Sequence, residues 1–270
     1  MKGMTLGQYY PADSVLHRMD PRIKILCTIA FIVASFLCMN FFAFILLVAS
    51  AVALIFLSRI PLKVVLRSVR PLIFIMAFTA VLNIFWVTDP GADPLFHWHF
   101  ITIYEKGLYH ALFILLRIVA MVIGTSLFLT YTTSPIALTD AIERLLYPLA
   151  KLHVPVHTFA MMMTIALRFI PTIVDETDKI MSAQKARGAD FDSGNLIQRA
   201  KAMIPILVPL FISAFRRADE LATAMECRLY RGDVGRTRMR QLKIARVDIC
   251  SMLLVAVLFA AVIALCRLGL

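Results

Sequence analysis

The sequence predicts an all-α fold: a polytopic membrane protein of about five transmembrane helices, with long cytosolic helices between the fourth and the fifth. Three observations carry this. Hydrophobic residues make up 60% of the 270-residue chain, against roughly 45–50% in a soluble domain. Lys and Arg gather at one set of ends of the apolar runs, as membrane orientation demands. And residues 158–238 hold two long helical patterns whose C-terminal halves are too charged to be spans.

The formal charge of +11 is accounted for by these flanking cations. No basic stripe interleaved with stacking aromatics points to nucleic acid. The cysteines, Cys27, Cys38, Cys227, Cys250 and Cys266, include no CxxC pair, so neither a metal centre nor a disulfide framework is implied, and no cofactor is expected. The polar start lacks the apolar core and small-residue cleavage site of a signal peptide; the first span targets the chain.

Taken in order, Asp20 before Pro21 is a helix start, with Asp free to cap N–H groups and Pro tolerated at the first helical position. Ile25 to Leu57 is then almost wholly apolar for 33 residues, about 50 Å as one helix against a hydrocarbon core of about 30 Å. Arg18, Arg22 and Lys24 precede this run and Arg59, Lys63, Arg67 and Arg70 follow it. Both flanks belong in the cytosol, which requires a hairpin of two spans turning near Met39-Asn40. Pro61 to Arg70 reads as a short basic amphipathic stretch at the cytosolic surface. Pro71 to Thr88 forms a third span, with Phe85 and Trp86 at interface depth. Asp89 to Lys106 is a loop rich in turn residues and aromatics, and His97 and His99, lacking a third ligand nearby, belong to an ordinary loop.

Gly107 to Tyr131 is the fourth span. Arg117 near its middle must face the bundle or reach an interface, and with no acidic residue inside any span to make a relay with it, its role reads as structural. Ser134-Pro135 opens a helix through Asp140, Glu143 and Arg144 to about Leu146. Pro148 and Pro155 punctuate the next connection, and after the long helices a basic segment, Arg231 to Arg246, leads into the last span, Val247 to Cys266. Of the 28 Lys and Arg, only Lys106 and Arg267 then fall outside and Arg117 within a span, which places the N-terminus in the cytosol and the C-terminus outside. The chain thus divides into a four-span region (1–131), a cytosolic region (132–246) and a last transmembrane helix (247–270).

The first long helix runs from about Thr158 to Lys185, about 42 Å, and the second from about Asn195 to Met225. Pro171 is expected to kink the first; Pro205 and Pro209 interrupt the second. Arg216 and Glu220 are spaced to pair along its surface. Met161, Met162, Met163, Met181, Met203 and Met225 make either an adaptable partner surface or core filling. Each helix ends on an arginine, Arg187 and Arg228, 41 positions apart. A cation near the terminal carbonyls is favoured by the helix dipole alone. Two such ends also suit recognition of two copies of a similar partner, since Arg binds carboxylates in two-point fashion.

Residues 14–24 (SVLHRMDPRIK), 168–172 (RFIPT), 184–188 (QKARG), 216–222 (RRADELA) and 224–228 (AMECR) resemble the T component of energy-coupling-factor transporters, ABC-type importers of prokaryotes. The resemblance implies a non-enzymatic transmembrane scaffold in the cell membrane, whose coupling helices dock on two cytosolic ABC-type ATPase subunits, with a substrate-binding S component packed against them from the membrane side. Its substrates would be vitamins or trace metals. Carried over by position, Ala186, Arg187 and Gly188 form the first docking motif, and Glu226, Cys227 and Arg228 belong to the second, where Cys227 replaces alanine and Leu229 glycine. Gly232 is expected to take over the helix stop, letting the helix run one turn further. Met161, Met162, Met163, Pro205 and Pro209 are the implied S-component contacts.

Two other classes fit less well. A stand-alone secondary transporter needs polar, broken helices and acids at mid-membrane, which Arg117 alone does not provide. A membrane enzyme needs a ligand or nucleophile cluster; His153 and His157 are four apart, but Pro155 between them spoils the spacing. No Walker-type glycine loop is present, so ATP hydrolysis belongs to another chain.

Overall fold

Asp20 and Pro21 start the first long helix of the computed structural model, which describes residues 9–38, 40–86, 96–98, 101–152, 154–191, 193, 195–232 and 244–268. The chain forms two compact units. One takes its residues from 8–134 and 242–270, the other from 135–241.

In the first unit, a single turn α1 (Val15–Arg18) leads to α2 (Pro21–Leu37). The Asp20 carboxylate accepts the Arg22 N–H at 2.9 Å and pairs with its guanidinium. α2 ends at Cys38 and α3 (Phe41–Ser58) begins after Asn40, the expected hairpin; Met39, named as its turn, lies outside the described residues. Arg117 of α6 (Glu105–Thr125) donates to the Cys38 carbonyl and lies 4.8 Å from the centre of the Phe113 ring. The guanidinium thus meets the partial negative charge at the end of α2, a structural role.

α4 (Leu62–Val69) follows, with Val65 buried and the Tyr131 hydroxyl donating to the Val64 carbonyl at 3.0 Å. A 3₁₀ turn at Arg70–Leu72, where Pro71 withholds its N–H, joins it to α5 (Ile73–Trp86), which packs against α6. The loop expected after the third span contains an antiparallel pair, β1 (Phe96–Trp98) and β2 (Ile101–Ile103), with Phe96 opposite Ile103. His99 lies outside the described residues. α10 (Arg246–Leu268) closes the unit against α2 and α3. Its core includes Cys27, Phe31, Leu47, Phe128 and Val262.

Gly124 on α6 has no room for a side chain: a Cβ there would lie 2.3 Å from Cε1 of Phe31, itself buried beside Phe128. Gly124→Ala is therefore expected to cost about 1–3 kcal/mol through overpacking. Thermal unfolding of the purified chain checks this, with Phe31→Leu in the same chain recovering part of the loss.

The reading that no acid lies inside a span is corrected by Asp248, 1% exposed in the first turn of α10. One carboxylate oxygen accepts the Ala245 N–H at 2.7 Å, a residue reaching back three positions to cap its own helix. The other accepts the Asp20 N–H at 2.7 Å, so α2 and α10 begin from one shared carboxylate. Nearby Lys24, also 1% exposed, donates to the Thr132 carbonyl at 2.8 Å and the Thr133 hydroxyl at 3.2 Å, which offsets the cost of its burial.

The second unit is helical: α7 (Pro135–Leu146), a 3₁₀ stretch Tyr147–Leu152, α8 (Val156–Ala186) and α9 (Leu196–Cys227). α7 packs on α8 and α8 on α9. His157 Nδ1 lies 2.7 Å from Oε1 of buried Glu143, tying α8 to α7; its sequence partner His153 lies outside the described residues.

Among the described residues, six helical runs are long and apolar enough to cross a membrane: Phe41–Ser58, Leu62–Trp86, Glu105–Thr130, Val156–Ala186, Ile197–Cys227 and Arg246–Arg267. Four contain predicted spans, and the basic stretch at Pro61 to Arg70 joins the third of these. The other predicted span, α2, has 17 residues. The remaining two runs are α8 and α9, the least apolar of the six.

Candidate partner-docking ends of the long helices

α8 stops because its carbonyls are satisfied by a left-handed residue. Arg187 is the C-cap and Gly188 follows at φ 87°. The Gly188 N–H then reaches the Lys185 carbonyl at 3.0 Å, and the Ala189 N–H the Gln184 carbonyl at 3.0 Å. These crossed bonds define a Schellman closure, which favours glycine because a Cβ is disfavoured at positive φ.

α9 ends the same way without the glycine. The Leu229 N–H bonds the Glu226 carbonyl at 2.8 Å and the Tyr230 N–H the Met225 carbonyl at 3.0 Å, with Leu229 itself at φ 56°. The expectation that Gly232 stops the helix a turn later is thus corrected. Gly232, at φ 74°, belongs to a turn beyond a helix already closed. The left-handed conformation costs a residue with a Cβ about 1–2 kcal/mol.

Both ends are open to solvent. Ala186, Arg187, Gly188, Glu226, Cys227 and Arg228 are all exposed, and neither arginine side chain has an ion-pair or hydrogen-bond partner among the described residues. The two sequence motifs therefore occupy equivalent backbone positions, last helical turn and C-cap, with their guanidinium groups available.

Contacts also join the two helices to each other. Arg217 of α9 pairs with Glu176 of α8 at 2.9 Å. The pairing expected along α9, Arg216 with Glu220, is not formed. Arg217, not its exposed neighbour, faces α8, and both Arg216 and Glu220 are left in solvent. A second contact explains one of the prolines. Pro209 has no N–H for the carbonyl four residues earlier, and that carbonyl, of Pro205, accepts from Gln184 of α8 at 3.5 Å.

Met162, Met163, Pro205 and Pro209 are exposed and Met161 is half-buried. They lie on helices that also expose Phe159, Met203, Ile204, Val208, Phe211 and Phe215. Sequence reasoning missed the conformation of Leu229, since left-handed backbone is signalled by glycine or asparagine and neither stands there.

Residues 12–240 match the cobalt transport protein family CbiQ. The chain is 53% identical over 261 residues to the energy-coupling factor transporter transmembrane protein EcfT of Clostridium kluyveri, covering 95% of this chain and 96% of the relative. It is 46% identical over 263 residues to the protein of the same name from Bacillus subtilis, covering 96% and 98%. A third, from Lactococcus lactis, is 46% identical over 263 residues, covering 97% of each.

Proposed function

The chain belongs to the cobalt transport protein (CbiQ) family, and from that premise we propose that it is the transmembrane coupling subunit of an energy-coupling-factor importer. In this reading the ends of α8 and α9 dock on two ABC-type ATPase subunits. The exposed apolar and Met-rich halves of the same helices contact a membrane-embedded S component that binds a vitamin or trace metal. The residues of 132–246 lie on the cytosolic side of a prokaryotic cell membrane, with the N-terminus cytosolic and the C-terminus outside.

The observation that carries this reading is the matched pair of ends: two helices closed by the same crossed hydrogen bonds, each presenting an exposed arginine. Arg recognises carboxylates with two parallel hydrogen bonds, and at a C-cap it also complements the helix dipole. Closure of an ATPase pair on ATP moves what is docked to it. With Glu176 and Arg217 joining α8 to α9, movement at the ends passes along both helices to the surface that meets the S component. The chain supplies no nucleotide chemistry in this scheme; hydrolysis occurs in the ATPases.

Affinity purification of the tagged chain from its native membrane, followed by quantitative mass spectrometry, tests the assembly. Two ABC-type ATPase chains and a small membrane protein are expected in fixed proportion to it. Recovery of the chain without any ATPase would favour a secondary transporter instead.

A further inference from the structure

We propose that Leu229 is a specificity-determining anchor of the second docking end. The ATPase surface that receives α9 offers an apolar recess beside its arginine site, and the two ends are not interchangeable. This rests on the docking reading above and goes beyond it in assigning a role to the side chain that stands where the motif's glycine would be.

The two ends superpose residue for residue on their hydrogen bonds. Lys185, Ala186, Arg187, Gly188, Ala189 and Asp190 correspond to Glu226, Cys227, Arg228, Leu229, Tyr230 and Arg231. Only the arginine is kept. The residue two before it inverts charge, Lys185 against Glu226, and so does the residue three after it, Asp190 against Arg231; all four are exposed.

The left-handed position carries the sharper difference. At Gly188 a Cβ would meet nothing within 4 Å, so the backbone conformation, not lack of space, is what favours glycine. At 229 the same conformation is occupied by leucine, which is strained there and is also 75% exposed. Two unfavourable features, a left-handed backbone and a largely exposed aliphatic side chain, meet in this one residue. Strain kept at an exposed position points to use of the side chain by a partner; the neighbouring arginine is a residue type enriched among interface hot spots, and seating the leucine in a recess beside it would take its apolar surface out of water. At the first end, bare backbone at Gly188 admits a closer approach, and Lys185 favours an acidic neighbour where Glu226 favours a basic one.

The test uses the whole transporter, co-expressed with its two ATPases and S component and purified through a tag on this chain. An Arg187→Glu background leaves the α9 end as the one that retains an ATPase. There, Leu229→Gly is expected to weaken retention by about 10- to 100-fold, the loss of one buried leucine. Leu229→Met should stay within about threefold. The isolated Leu229→Gly chain should unfold at the same or a higher temperature, because strain is relieved. Wild-type retention by Leu229→Gly overturns the anchor, and so does a fall in unfolding temperature, which would make Leu229 structural. Arg228→Glu in the same background separates the two levels: if it too retains the ATPase, the docking reading itself fails.

Discussion

Replacing Arg187 and Arg228 together by glutamate is expected to strip both ATPases from the purified complex while the chain still inserts and folds. Neither guanidinium has a partner among the described residues, and both are exposed, so folding loses little. Glutamate at a C-cap opposes the terminal carbonyls, a cost of about 0.3–1 kcal/mol per helix. Losing a charged interface anchor costs about 2–5 kcal/mol per end, roughly 30- to 5,000-fold in affinity. The single variants should each weaken assembly and the double variant abolish it. ATPase recovered per copy of this chain is the measurement, and unchanged recovery in the double variant would refute docking at these ends.

Asp248→Ala is expected to produce the largest loss of stability in the first unit. Its carboxylate is buried and accepts two backbone N–H groups, from Asp20 and Ala245. Alanine leaves both without their acceptor, at about 1–3 kcal/mol each, and removes an anion from the neighbourhood of buried Lys24. A total of about 2–5 kcal/mol corresponds to roughly 5–15 °C in unfolding temperature for a unit of this size. Asp248→Asn keeps one acceptor oxygen and should fall in between. Equal unfolding temperatures for wild type and Asp248→Ala would show that the shared cap contributes nothing.

The helices and their ends were legible because their causes are local. Asp20-Pro21 is a capping signal readable from two residues, and the hairpin of α2 and α3 follows from cations on both flanks of an apolar run too long for one span. Arg187 and Arg228 fall where the two helical patterns stop in the sequence, and both helices do end there. What escaped depends on partners distant in sequence or on backbone geometry without a residue cue. Asp248 looks like an ordinary first-turn acid until the N–H of Asp20 is brought to it. Whether Arg216 or Arg217 pairs is decided by which face of α9 meets α8, and one residue is a turn of about 100°. Length and composition place α8 and α9, read in the sequence as cytosolic from their charged halves, among the helices able to cross a membrane. Leu229 escaped because the usual marker of its conformation is absent.

The bond between Asp20 and Asp248 also orders events during synthesis. Its two residues are 228 positions apart, so at about 5–20 residues per second the ribosome needs roughly 10 to 45 s between making one and the other. Throughout that interval the Asp20 N–H lacks its final acceptor, while the residues of α7, α8 and α9 are being synthesised. The first unit is therefore finished from its last segment.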